Sequence, residues 1–239
     1  MKTSVRKSGV KQGTAQTKTG TKTGSPNTKR ITTDLKQVST KILKLKILLL
    51  GSQPKIWRSI LVMPDITFRQ LHLYIQVAMG WKNYHMWGFE SKKFDITPKI
   101  DNDPFDDLFG SGVSDKQLLD PDIELISKVF NSKGDNITYT YDYGDDWEHE
   151  IELDKFIDID DSIVYPVCTD GENACPPEDS GGIWGYYGLL EAVKDKSHPN
   201  HKEYSSYLKK GFDPNYFNLD SVNKSLARLS KKFVKKPKK

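Results

Sequence analysis

The chain has 239 residues, 36% of them hydrophobic, and a formal net charge of +4. That apolar share is low for a wholly globular chain, so part of the sequence is expected to stand outside the core. No apolar run approaches the ~20 residues that span a bilayer, and no apolar segment backs the basic N-terminus as in a secretory leader. The expectation is a cytoplasmic protein (nuclear in a eukaryotic host) with no membrane partner.

Charge is unevenly spread. Residues 1–36 hold nine Lys/Arg against Asp34, and residues 224–239 hold eight Lys/Arg and no acid. Removing those 17 cations and one acid leaves 19 Lys/Arg against 31 Asp/Glu over 37–223, a net of −12. A nucleic-acid reader usually carries positive charge on its folded surface. Here the Lys/Arg-rich tails alone offer phosphate contacts, so a nucleic-acid partner would be held through them without fixed geometry.

Residues 1–36 are rich in Thr, Lys, Gly and Ser. They bury too little apolar surface to offset backbone entropy and read as a disordered basic tail. Order is expected to begin near Gln37. Ile42 to Leu50 reads as a strand, Gly51-Ser52-Gln53-Pro54 as a turn, and Ile56 to Val62 as the returning strand of a hairpin. Thr67 can cap a helix whose apolar face is Phe68, Leu71, Ile75, Ala78 and Met79, with Gly80 as its stop. His72, on the shoulder of that face, reads as a packing histidine.

The run from Trp81 to Glu90 alternates, which predicts a strand with His85, Trp87 and Phe89 on one face. Phe94 to Ile96 begins a paired strand, and residues 98–114 read as loop. Leu118 to Phe130 has helical spacing interrupted by Pro121, so a turn of helix is expected after Asp122. Further helices are expected over Tyr186–Lys194, Glu203–Lys210 and Leu219–Leu229, with residues 224–239 forming a basic C-terminal tail.

Two stretches carry most of the chemistry. In the first, Ile137, Tyr139 and Tyr141 alternate with polar residues. After Gly144, Trp147, His149, Ile151 and Leu153 face one way, and Glu148, Glu150 and Glu152 the other. This predicts a hairpin with an aromatic face and an acidic, solvated face. Gly144 suits a tight turn with positive φ. The second runs from Cys168 to Gly182. Pro176-Pro177 stiffens its backbone, Gly181-Gly182 frees it, and Glu178 and Asp179 lie between. The two cysteines, Cys168 and Cys175, are read as thiols, packing groups or half of a metal site.

Histidine plus carboxylates can hold a divalent ion or move protons. The candidate pocket comprises His85, Asp142, Asp145 and Trp147, together with His149, Asp170, Glu178 and Asp179. Metal-ligand candidates are His149, Asp145, Glu178, Asp179, Cys168 and Cys175. His198 and His201 are further zinc ligands by type, although their spacing matches no known zinc motif. Neither a His-Glu-x-x-His run nor a phosphate-cradling glycine loop is present.

Three motifs, AMGWKNYHMWGF, YTYDYGDDWEHEIEL and DGENACPPEDSGGIWGYYGLLEAV, resemble those of the plasmid pRiA4b ORF-3-like family, in order and spacing. The family occurs on plasmids, in mobile elements and in chromosomes, and TnpR is among its members' names. The resemblance covers about residues 38–220. It implies an α+β domain and brings no assigned reaction. Many relatives have a cysteine where this chain has Ser180.

The expected fold is a single α+β domain over 37–223, a largely antiparallel sheet packed against helices. The expected function is that of a plasmid- or mobile-element-associated, non-enzymatic binding or interaction module with a His/Asp/Glu pocket; its cofactor is left open, a divalent metal ion being the candidate. Two alternatives stand beside it: a metal-dependent hydrolase or nuclease, and non-specific nucleic-acid binding through the tails.

Overall fold

The structure is a computed structural model that describes residues 41–99, 116–208 and 211–233. The expected tail over 1–36 and most of the expected 98–114 loop lie outside them. Eight strands form one sheet: β1 Lys41–Leu49, β2 Trp57–Val62, β3 Trp87–Glu90, β4 Phe94–Ile96, β5 Gln117–Leu119, β6 Asn136–Tyr141, β7 Trp147–Asp158 and β8 Val167–Glu172. Their order is β5-β4-β3-β6-β7-β1-β2-β8. All neighbours are antiparallel except β4 and β5. Four α-helices complete the described residues: α1 Phe68–Met79, α2 Gly182–Lys194, α3 His201–Tyr207 and α4 Leu219–Ser230. The class is α+β, as expected, and no helix among the described residues is long and apolar enough to cross a membrane.

The expected hairpin of β1 and β2 forms, with Leu45 opposite Ile60 and Ile47 opposite Arg58. β6 and β7 form the second, pairing Tyr139 with His149 and Tyr141 with Trp147. Period-two alternation buries Ile137, Tyr139 and Tyr141 along with Trp147, His149, Ile151 and Leu153. Glu148 and Glu150 stay exposed and Glu152 half-buried, an acidic ladder on the solvent side.

Helix α1 packs on the buried face. Phe68 meets Phe89 edge-on, and the His72 ring stacks on Trp87 with centroids 3.8 Å apart. His72 is a packing histidine: Nδ1 lies 2.7 Å from the Tyr139 hydroxyl and Nε2 2.7 Å from Asn83 Oδ1. Thr67 caps α1 in a reciprocal capping box with Gln70, and Gly80 ends the helix in the left-handed region. Thr67→Ala is expected to lower unfolding stability by about 1 kcal/mol, read as a lower urea midpoint at unchanged slope.

Several expectations need correction. The segment before β3 is no strand. Gly80 and Asn83 take positive φ, and side chains claim its backbone donors: Asn83 N–H donates to Gln76 Oε1, and Tyr84 N–H to the Tyr141 hydroxyl. A strand ladder has no use for donors already committed. Leu118 and Leu119 lie in β5, paired to β4, and the helical turn expected after Asp122 is a 3-10 turn at Ile126–Lys128. Helix α2 starts at Gly182, four residues before the expected start. Helix α4 ends at Ser230, one residue past the expected Leu229, with Leu226 buried.

Candidate functional site

The two chemistry-bearing stretches meet at one end of the β6–β7 hairpin. Its turn is tighter than the glycine suggested. Asp142 and Asp146, not Gly144, take the left-handed conformation, at φ 59° and 57°. Aspartate tolerates this region because its short side chain bonds locally. Asp142 Oδ1 accepts the Gly144 and Asp145 N–H groups at 3.0 and 3.4 Å. Its other oxygen, Oδ2, lies 3.5 Å from His85 Nδ1. One carboxylate thus both closes the turn and reaches the histidine.

The Pro-Pro-Glu-Asp loop closes over this turn. Asp179 is also left-handed, at φ 60°, and its Oδ1 lies 3.1 Å from His85 Nε2. That contact is near enough for an ion pair but out of line for a hydrogen bond, and Nε2 is covered from solvent. His85, Asp142 and Asp179 each offer one ligand atom, and the three atoms lie within 4.8 Å of one another. Side-chain exposure falls from 65% at Asp179 through 28% at His85 to 12% at Asp142. The group is therefore open on the Asp179 side.

Neighbouring residues hold this geometry. Glu178 Oε1 accepts both the Tyr141 hydroxyl at 2.6 Å and the Lys82 N–H at 3.0 Å. This clamps the loop to β6 and to the segment carrying His85. Burial, then the Glu178 bond, raises the Tyr141 phenol above its usual range. The Tyr207 hydroxyl donates to the Glu178 carbonyl, tying α3 to the loop. Asp145 Oδ2 accepts the Gly181 N–H at 3.1 Å. Gly182, at φ 67°, passes so close that a Cβ there would collide with the Asp145 carbonyl oxygen. Ser180 is nearly buried and donates from Oγ to the Pro177 carbonyl at 2.7 Å, closing the loop from within.

The other expected site residues lie elsewhere. His149 is fully buried in the core, edge-on to Trp81, with Nδ1 3.3 Å from the Tyr139 carbonyl. Burial, the dominant cause, lowers its pKa to about 4. It is a neutral packing group. Trp147 is buried beside Trp81. Asp170 is exposed on β8 and bonds the Gly171 N–H. Both cysteines are free, and burial pushes each thiol pKa up, away from the thiolate a metal needs. His201 Nδ1 bonds the Ala192 carbonyl in the α2–α3 corner. Among the described residues no cysteine joins a metal-ligand group.

Sequence reasoning overlooked Arg58. It is 2% exposed and lines a cleft of about 730 Å³ between the end of α1, the Pro-Pro-Glu-Asp loop and the start of α4. The signal was there: one cation inside the apolar run Ile56 to Val62.

Residues 41–221 match the family model described as plasmid pRiA4b ORF-3-like protein. The chain belongs to the plasmid pRiA4b ORF-3-like family. It is 30% identical over 196 residues to the uncharacterised protein y4hQ of Sinorhizobium fredii (strain NBRC 101917 / NGR234), covering 82% of this chain and 95% of that one. It also resembles the crystal structure of MM3350, a protein of unknown function from Methanosarcina mazei Go1. Identity there is 34% and the TM-score 0.66, over 77% of this chain and 98% of that one. The matched family region holds His85, Asp142 and Asp179, and stops within α4.

Proposed function

We propose that the protein is a non-enzymatic binding module that holds a divalent cation between His85, Asp142 and Asp179. One observation carries this reading: three ligand atoms of the right types converge within 4.8 Å. The covered His85 nitrogen that makes no hydrogen bond supports it. One imidazole and two carboxylates suit manganese or zinc better than magnesium, which prefers all-oxygen surroundings. The ordinary alternative is direct contact of His85 with its two acids and no ion between them.

A thermal melt with and without metal separates the two. Manganese or zinc at about a hundred times its Kd should stabilise the fold by about 2.7 kcal/mol, seen as a Tm rise of several degrees. Asp179→Asn should remove the rise, and Asp170→Asn, altered outside the group, should keep it. No rise with either metal, or an equal rise in Asp179→Asn, sinks the reading.

A metal-dependent hydrolase or nuclease is the second reading. It is favoured by the ligand count, since three protein ligands leave coordination positions for an activated water. Manganese-dependent cleavage of a phosphodiester, lost in Asp179→Asn, would select it. One feature of the family and one of this chain bear on cellular context. The family's plasmid description supports an association with accessory DNA, and two free cysteines suit a cytoplasmic setting. Nucleic-acid binding through residues 1–36 and 224–239 would show as steeply salt-dependent, sequence-blind affinity lost on trimming both tails.

A further inference from the structure

Arg58 sits on β2 and lines the 730 Å³ cleft. Its hydrogen bonds all go to backbone carbonyls. Nε donates to Ala78 at 2.9 Å, Nη1 to Trp57 and Glu172 at 2.7 and 2.8 Å, and Nη2 to Asn173 at 2.8 Å. A guanidinium has five N–H groups. Four are used, and the second N–H of Nη2 has no acceptor among the described residues. No carboxylate among them lies within ion-pair distance of Arg58 either. Phe217 covers one face of the group at 4.2 Å.

A buried charge is ordinarily paired with an opposite one. Here carbonyl dipoles hold the cation in place, and the formal charge stays uncompensated beside an open cavity. The other walls of that cavity include the apolar Met79, Trp81, Phe212, Tyr216 and Phe217, with Lys82, Glu178 and Asp179 as its other charged lining. Its volume falls in the usual range for small-molecule sites. Cation and apolar walls together define the complement: a planar acid group attached to a flat hydrophobic body. The one N–H of Nη2 left over can donate a single charge-assisted hydrogen bond to one oxygen of a carboxylate.

We infer that this cleft is a binding site for a small carboxylic acid with a flat apolar body, its carboxylate on Arg58 and its body against Trp81 and Phe217. The site is separate from the cation group at His85, although Asp179 borders both. The two can be tested apart by working in EDTA.

The test uses saturation-transfer NMR on the full chain in EDTA, with naphthalene-2-carboxylate and its neutral carboxamide as matched probes. Arg58→Met removes the charge but also strands four carbonyls, and its failure to fold would say nothing about binding. Ser221→Trp is the better variant. Ser221 is exposed on the first turn of α4 at the cleft's edge, and only its backbone N–H serves the Asn218 cap. Indole bulk there fills the cleft without touching the Arg58 bonds. The acid should bind at least about tenfold more tightly than the amide, as expected for a charge-assisted hydrogen bond. Ser221→Trp should abolish that binding at an unchanged Tm. No acid signal at millimolar concentration, equal binding of acid and amide, or acid binding that survives Ser221→Trp would each overturn the inference.

Discussion

Lowering the pH from about 6.5 to about 4 is expected to cost the folded chain roughly 5 kcal/mol through two histidines alone. Burial, the leading cause for both, holds the His72 pKa at about 3 and that of His149 at about 4. In the unfolded chain each returns to about 6.5. Between those values the unfolded state takes up protons that the folded state refuses. The contribution is therefore fully present above about pH 6.5 and is lost as the pH falls toward the folded values. Each histidine adds up to about 1.4 kcal/mol per pH unit to the slope. Urea unfolding at pH 7, 6, 5 and 4.5 reads it. His149→Gln keeps a polar group of similar reach and cannot titrate. Its slope should be shallower than wild type by about that amount. Parallel slopes for the two proteins would show that His149 is protonated as readily in the fold as out of it.

Gly182→Ala is expected to destabilise the protein by roughly 3 kcal/mol or more, from left-handed strain and backbone collision together. The new Cβ would meet the Asp145 carbonyl oxygen, which belongs to the tight β6–β7 turn and cannot swing aside like a side-chain tip. Relief would come by moving the Pro-Pro-Glu-Asp loop away from that turn. The Asp145–Gly181 bond would break and Asp179 would withdraw from His85. Denaturant unfolding measures the stability loss. A metal titration on the variant that remains folded at low temperature should show weakened binding as well. Gly188 has open space around it, with nothing within 4 Å of an added Cβ. Gly188→Ala, in the same helix, should therefore leave both properties near wild type. Equal effects at the two positions would mean that helix composition matters and the close approach does not.

Most of the architecture was legible because burial imposes strict periods. The β1–β2 and β6–β7 hairpins, the capped helix α1 and the acidic ladder all follow from alternation or 3.6-residue spacing. Segments whose hydrogen bonds go to side chains were misread. His85 alternates with Trp87 as if in a strand, but Gln76 and Tyr141 take the backbone donors before it. Leu118 and Leu119 have helical company in sequence and a parallel partner strand in space.

The site divided along the same line. Type and density brought His85, Asp142 and Asp179 forward, and all three meet. The same criterion selected His149, which alternation had already aimed into the core beside Trp147. Asp170 was selected by its neighbours in sequence, and β8 carries it to the exposed edge of the sheet. Arg58 was missed because a single cation in an apolar strand reads as noise until the carbonyls around it are known.

The most direct test of the cation site is anomalous diffraction from a crystal soaked in manganese. One peak is expected, bonded to the imidazole of His85 and to carboxylate oxygens of Asp142 and Asp179, and absent in Asp179→Asn crystals. A soaked crystal with His85 still paired directly to its two acids, and no anomalous peak between them, would contradict the cation site.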